Sequence, residues 1–398
     1  VTTLAAIEYL KSPDGSERLR EAAGLDLTGQ TLLRELTRLR RSLSAEQASA
    51  VMEQAALRRR GEAKFSRAAS MLFTPEGLEQ ASGERLARHS ADRYQGISRV
   101  ADFCCGIGGD TIALAGEARV DAYDNDPVRL SCAEHNATVY GLSERVSFHL
   151  ADVQAIELAG SSIDGRPPAS DAIFFDPSRR AEGRRIFSLS EYHPPVTLVE
   201  RWLPVVPAIG VKVAPGVLRH EVSWDCEQEF VAEGTDLKEC LLWFGPLNTS
   251  PQRATVLPAA ATLIAGGAPE PPIEAPAGWL YDPSPAVTRA GLVWELALIL
   301  GARQHDPRLA YLSAPDLIET PFARAYAIES WMPFNLKRLQ AQLRLAGVGR
   351  VEVHRRGAPI DPADLERRLR LEGDEYRLLF VTRLRGAMVV VTCHPSAR

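Results

Sequence analysis

Four aspartates, Asp102, Asp124, Asp152 and Asp176, stand within or just beyond short apolar runs of this sequence. The first run, Val100 to Phe103, breaks into a turn that holds Gly106, Gly108 and Gly109. Glycines at such a turn let the backbone approach a ligand with no Cβ in the way. The helical pattern that follows, Ile112 to Ala115, would present free amides and the positive end of its dipole there. An acidic residue closing the second strand, about 20 residues past the glycines, is where ribose hydroxyls are gripped in nucleoside-binding sheets. Asp124 holds that place. Singly, each aspartate suits a helix N-cap or a turn equally well. Together they mark the strand ends outside which open α/β sheets bind ligands.

The elements that would position them read as α/β. Buried-strand patterns cover Val100 to Phe103, Arg119 to Tyr123, Arg145 to Leu150, Asp171 to Phe175 and Ile209 to Val213. Two further runs, Glu227 to Val231 and Lys238 to Phe244, flank a Gly-containing turn and predict a hairpin. Five parallel strands closed by an antiparallel hairpin differ from the six parallel strands of the dinucleotide-binding plan. Residues 1–95 carry apolar positions at helical spacing, with Thr74 and Pro75 as one clear helix start, and predict a helical N-terminal domain. The sheet domain is expected over residues 96–265, a Pro/Ala-rich linker over 266–278 and a smaller α/β domain over 279–398. Within that last domain the spacing predicts one helix over residues 285–300, basic helices over 335–345 and 362–371, and a terminal hairpin.

At 398 residues, 45% apolar and 24% charged, the chain has the composition of an ordinary globular protein of two or three domains. It shows neither an apolar run of membrane-helix length nor a signal-peptide pattern, and a cytoplasmic location is expected. Six cysteines form no metal-like pairs, so no metal is expected. The net charge of −5 hides two basic stretches, Arg34 to Arg67 and Lys337 to Arg370, each with nine Lys/Arg against four Asp/Glu. They suit a polyanionic partner or solvated helix faces.

The segments VADFCCGIGGDTIALA, DAYDNDPVRLSCAEHNATVYGL and HLADV resemble the class I S-adenosylmethionine-dependent methyltransferases. Within that class they are most similar to the RNA cap guanine-N2 methyltransferases, which share Cys104 in the glycine loop and a segment like KFSRAASMLFTPEGLEQAS. The region from Trp279 onward resembles a THUMP-like domain. The resemblance implies a Rossmann-like methyltransferase sheet and S-adenosylmethionine as cofactor. It implies that Asp102, Gly106 and Gly108 line the methionine and ribose end, with Cys104 and Asn125 as further contacts. Asp124 would bind the ribose hydroxyls, Asp152 the adenine amino group, and Val153 would donate through its backbone. A carboxylate-rich rim tolerates a positively charged sulfonium better than a pyrophosphate.

The chain departs from the cap enzymes at Asp176-Pro177-Ser178-Arg179-Arg180, where they carry a Pro-Pro pair followed by an aromatic. DPSRR also resembles the DPxR loop of RNA uridine-5 methyltransferases. Those need a cysteine nucleophile after the next strand, where this chain has Val213-Ala214-Pro215-Gly216. The reading is therefore methyl transfer to a base nitrogen in tRNA or rRNA. Asp176, Pro177, Ser178 and Arg179 stand at the acceptor. The alternatives are a methyltransferase acting on protein or a small molecule, and a non-catalytic RNA-binding module.

Overall fold

The computed structural model describes residues 2–25, 29–156, 158, 170–178, 180–181, 184–185 and 189–395. Helices α1 (Leu4–Lys11), α2 (Pro13–Ala23), α3 (Gly29–Leu39), α4 (Ala45–Gly61), α5 (Pro75–Gln80) and α6 (Glu84–Asp92) occupy the first part of the chain. Side-chain caps set several of their starts. Thr3, Ser12 and Thr74 each accept a backbone N–H from the first turn, and Ser44 with Gln47 forms a capping box. These helices bury Ile7, Leu10, Leu19 and Val51 in one core with Leu72 and Phe73 of the stretch between α4 and α5, and with Ile107 and Cys132 of the sheet region that follows.

Contacts group Val1–Cys226 with Cys240–Thr249 in one unit, and Glu227–Glu239 with Ser250–Arg398 in another. The first unit holds β1 (Arg99–Phe103), β2 (Arg119–Asp124), β3 (Val146–Leu150), β4 (Ala172–Phe175) and β5 (Ala208–Val213). Helices α7 (Gly109–Glu117), α8 (Pro127–Val139) and α9 (Leu198–Trp202) connect them. After β5 come β6 (Glu227–Glu233) and β7 (Asp236–Trp243), separated by a turn at Gly234. The sheet of this unit runs β7-β5-β4-β1-β2-β3. All its pairings are parallel except β5 with β7, where Gly210 faces Trp243 antiparallel. The parallel sheet with an antiparallel strand after it is the architecture expected from the sequence.

The strand order reverses between β1 and β4, the topological switch point where open sheets leave a crevice beyond their carboxyl ends. Phe103 pairs with Phe175, so the residues leaving β1 and β4 emerge side by side. β4 reads as an unbroken apolar run because it is buried along its whole length, whereas β1 and β5 carry Asp102 and Lys212 inside theirs. Trp202 packs edge-on against Phe103 and Phe175 at 4.9 and 5.0 Å between ring centroids. On β5, a Cβ at Gly210 would stand 2.4 Å from both the Tyr94 hydroxyl and the Trp243 ring, so only glycine fits.

In the second unit β8 (Gln252–Leu257) pairs parallel with β6 and antiparallel with β9 (Ala261–Ile264). A seven-stranded sheet follows, of β10 (Trp279–Pro283), β11 (Arg303–Gln304), β12 (Leu312–Ala314), β13 (Ala323–Pro333), β14 (Val348–Arg355), β15 (Glu375–Leu384) and β16 (Ala387–Cys393), in the order β11-β12-β10-β13-β16-β15-β14. The single helix expected over residues 285–300 is two, α10 (Pro285–Ala290) and α11 (Val293–Leu300). Gly291 takes a left-handed φ of 73° and ends the first. Helices α12 (Leu336–Leu345) and α13 (Pro362–Leu369) cover one face of this sheet, burying Leu339, Leu343, Leu365 and Leu369. The terminal hairpin closes on Arg385-Gly386, both at positive φ, the two-residue turn that matches strand twist. Among the described residues no helix is long and apolar enough to cross a membrane.

Candidate active site

The loop after β1 is built to bring its backbone forward. Cys104, Gly106 and Gly108 all have positive φ, of 67°, 57° and 86°. Gly108 starts α7, and a Cβ there would lie 3.2 Å from the Ala133 backbone, so α8 packs directly on the loop. Asn136 of α8, fully buried, donates to the Ile107 and Leu72 carbonyls and accepts from the Leu72 N–H. This side chain ties the glycine loop to the stretch that precedes α5. Lys64 closes the other end of that stretch by donating to the carbonyls of Leu78, Glu79 and Ala81 at 2.8 to 3.0 Å.

The structure brings all four sequence-predicted aspartates to this loop. Burial raises the Cys104 thiol well above the ordinary cysteine range, and the charges of Asp124, Asp176, Asp102 and Asp152 push it further the same way. Asp102 is 1% exposed; one oxygen accepts from the Thr111 hydroxyl, and Oδ1 has no hydrogen-bond partner among the described residues. Burial pushes its carboxyl up to about 8. Asp124 accepts from the Gly106 and Asp126 N–H groups at 2.9 Å, and burial outweighs those bonds and raises its pKa. Asn125 lies exposed in the bend after β2.

The helix-cap alternative applies to two acidic residues here. Asp126 caps α8, and Asp152 accepts from Gln154 at the start of a short 3-10 turn while its side chain stays exposed. Val153 beside it is buried. Arg201 of α9 holds this turn by donating to the Gln154 and Ile156 carbonyls at 2.9 and 3.1 Å.

Asp176 leaves β4 with its N–H on the Phe103 carbonyl at 3.2 Å, against the start of the glycine loop. Its Oδ2 lies 2.5 Å from Lys212 Nζ, which also reaches Asp110 Oδ2 at 2.7 Å and Ser82 Oγ at 2.9 Å. Pro177 is buried, and Ser178 bridges to His193 through both backbone bonds. Arg179 lies outside the described residues. Sequence reasoning passed over Lys212, Asp110 and Ser82. The signal was a lysine inside the apolar run of β5, a position that demands buried partners.

An uncharacterized S-adenosylmethionine-dependent methyltransferase of Mycobacterium tuberculosis is 34% identical over 375 residues, covering 89% of this chain and 99% of the relative. This chain belongs to the S-adenosylmethionine-dependent methyltransferases. The RNA cap guanine-N2 methyltransferase family matches residues 97–179 of this methyltransferase, a THUMP domain-like family residues 323–395, and a domain family of unknown function residues 3–61. A crystal structure ascribed to a methyltransferase of Porphyromonas gingivalis W83 shares the fold at a TM-score of 0.77 and 21% identity, over 96% of this chain and 98% of that one. The methyl donor of the family is S-adenosylmethionine, and the site suits it. A buried acceptor on Asp102 without a partner among the described residues, a backbone loop free of side chains at Gly106 and a carboxylate at Asp124 match a cationic, ribose-bearing ligand. Among the described residues no group of three or more His, Cys, Asp or Glu could hold a metal ion.

Proposed function

We propose that this methyltransferase acts in the cytoplasm and moves a methyl group from S-adenosylmethionine to a base nitrogen of tRNA or rRNA. One observation carries the reading: Asp176, the acceptor-side carboxylate, is bonded through its backbone to Phe103, where the cofactor loop begins. In this reading the two half-sites adjoin at the switch point. The likeness to RNA cap guanine-N2 methyltransferases over residues 97–179 supports a base nitrogen, and the THUMP-like match supports RNA.

When bound, the cofactor supplies a methyl group on a positively charged sulfonium. Asp102 would face its methionine end, Gly106 and Gly108 would let the backbone come close, and Cys104 and Asn125 would flank the loop. Asp124 would take the ribose hydroxyls, and Asp152 with Val153 the adenine edge. The Asp176 carboxylate and the Pro177 carbonyl would accept from an exocyclic amine and aim its lone pair. Orientation alone can supply about 7–11 kcal/mol of rate enhancement, so a site with little acid–base chemistry suffices. Ser178 and Arg179 belong to the same acceptor loop in this reading.

The test is mass spectrometry of nucleosides from cells with and without the protein. One methylated base nitrogen should vanish from tRNA or rRNA without it, and return with wild type but not with Asp176→Asn. Unchanged RNA together with loss of a methylated protein or metabolite would give the acceptor to another class.

A further inference from the structure

Lys212 is a deeply buried cation of the site, 2% exposed in the middle of an apolar sheet. An ammonium has three donors. Those of Lys212 have Asp176, Asp110 and Ser82 within 2.5, 2.7 and 2.9 Å, just past β4, on α7 and just before α6. The Phe174 ring lies 5.8 Å below it. Exposure is graded across the cluster: the side chains of Lys212 and Asp110 are 2% and 12% exposed, and that of Asp176 is 23%. The cluster is sealed at the lysine and open at Asp176.

From this we infer that Lys212 is a positioning residue for methyl transfer: it fixes the Asp176 carboxylate against the glycine-loop helix so that its open side meets the acceptor. The inference rests on the reading of Asp176 as the acceptor-side group. Asp110 is the link to the cofactor half, because it belongs to the first turn of α7, directly after Gly109. A buried ion pair is weak evidence of stability by itself. Its value here is geometric: one ammonium sets the spacing between the end of β4 and the start of α7, and with it the spacing between acceptor and methyl donor.

The experiment uses the full chain and tritiated S-adenosylmethionine, with an extract of cells lacking the protein as the source of RNA, protein and small-molecule acceptors together. Nuclease treatment of the product reports separately whether the acceptor is RNA, so failure of the RNA reading leaves the Lys212 result intact. Lys212→Met should lower kcat about 100-fold, the scale of an ångström-sized misplacement, with KM for S-adenosylmethionine within about threefold of wild type. Lys212→Arg keeps the charge and should recover at least about tenfold of that loss. A Met variant with wild-type kcat, a KM that rises as kcat falls, or no recovery by arginine would overturn the inference. Should Lys212→Met fail to fold, Ser82→Ala decides, since it removes one tether and keeps both ion pairs. It should lower kcat several-fold at constant KM, and an unchanged kcat would overturn the inference equally.

Discussion

Gly106 donates its backbone N–H to Asp124 Oδ2 at 2.9 Å, pinning the glycine loop after β1 to the end of β2. The same carboxylate accepts from Asp126, so one side chain shapes the turn that the cofactor would share with it. Each oxygen retains a lone pair for a ribose hydroxyl. Asp124→Ala should therefore weaken S-adenosylhomocysteine binding by about 10- to 100-fold, the range for hydrogen bonds to a charged group. Calorimetry on the purified protein measures this, and NAD should give no comparable heat. Preferential NAD binding would reject the assignment of the loop.

Asp102 should make cofactor binding depend on pH. Burial is the largest cause that pushes its carboxyl up to about 8, well above the ordinary aspartate range. The neutral form is thus favoured in the folded protein. That contribution to stability is full below the unfolded pKa and is lost as pH rises through about 8. A ligand ammonium beside Asp102 favours the ionised form, so binding should release a proton and tighten as pH rises across the same window. Calorimetry in buffers of different ionisation enthalpy counts the proton, and Asp102→Asn should abolish both the release and the slope. A pH-independent affinity in the wild type would place the cation elsewhere.

Asp176→Asn should abolish transfer while S-adenosylhomocysteine affinity stays within a few-fold of wild type. The separation is expected because Lys212 keeps Asp110 and Ser82 as partners when Asp176 is neutralised. The glycine loop also makes its own contacts to Asp124 and Asn136. Collapse of cofactor binding in this variant would make Asp176 a structural residue.

Asn136→Ala should cost roughly 2–4 kcal/mol of stability, because it strands the buried polar groups of Leu72 and Ile107. A lower urea midpoint with an unchanged slope would show it. A variant as stable as wild type would mean that the junction between loop and helices is held by packing alone.

Much of the site is legible in the sequence because its logic is local. Buried parallel strands are apolar runs, and β1, β2 and β4 carry their carboxylates at or beside their ends, so Asp102, Asp124 and Asp176 stand out. The Lys212 cluster is not local: its partners lie 130 and 102 residues away along the chain. Only the oddity of a lysine in a buried strand hints at it. Charge counting alone does not separate structural cations from available ones. In the stretch from Arg34 to Arg67, Arg58 and Arg59 donate to backbone carbonyls, as do Lys64 and Arg67, so these cations close turns and helix ends. Arg58 is buried enough that its pKa falls to about 10.

The C-terminal basic stretch divides differently, and that decides where RNA should touch. Arg356 is spent on Asp282 at 2.9 Å and Arg355 on the Ile360 carbonyl. On α13, Arg367 and Arg368 both pair with Asp364, while Asp361 caps the helix and Glu366 accepts from the Val353 N–H. On α12, Lys337 and Arg338 are exposed on the first turn, and Arg344 is exposed near the last while donating to the Arg370 carbonyl. The open cleft between the two helices is lined by Leu336, Gln340, Asp364, Arg367, Arg368 and Arg370. Phosphate contacts from α12 should then dominate any RNA binding by this part of the chain. The full chain should bind bulk tRNA with an affinity that falls steeply with salt, by a slope of about 0.7–0.9 per phosphate neutralised. Lys337→Glu with Arg338→Glu should weaken binding to all RNAs alike and lower that slope by about two contacts. Arg367→Gln with Arg368→Gln should do less, because Asp364 already offsets them. Binding that ignores salt, or that depends on α13 and not on α12, would refute this division of labour.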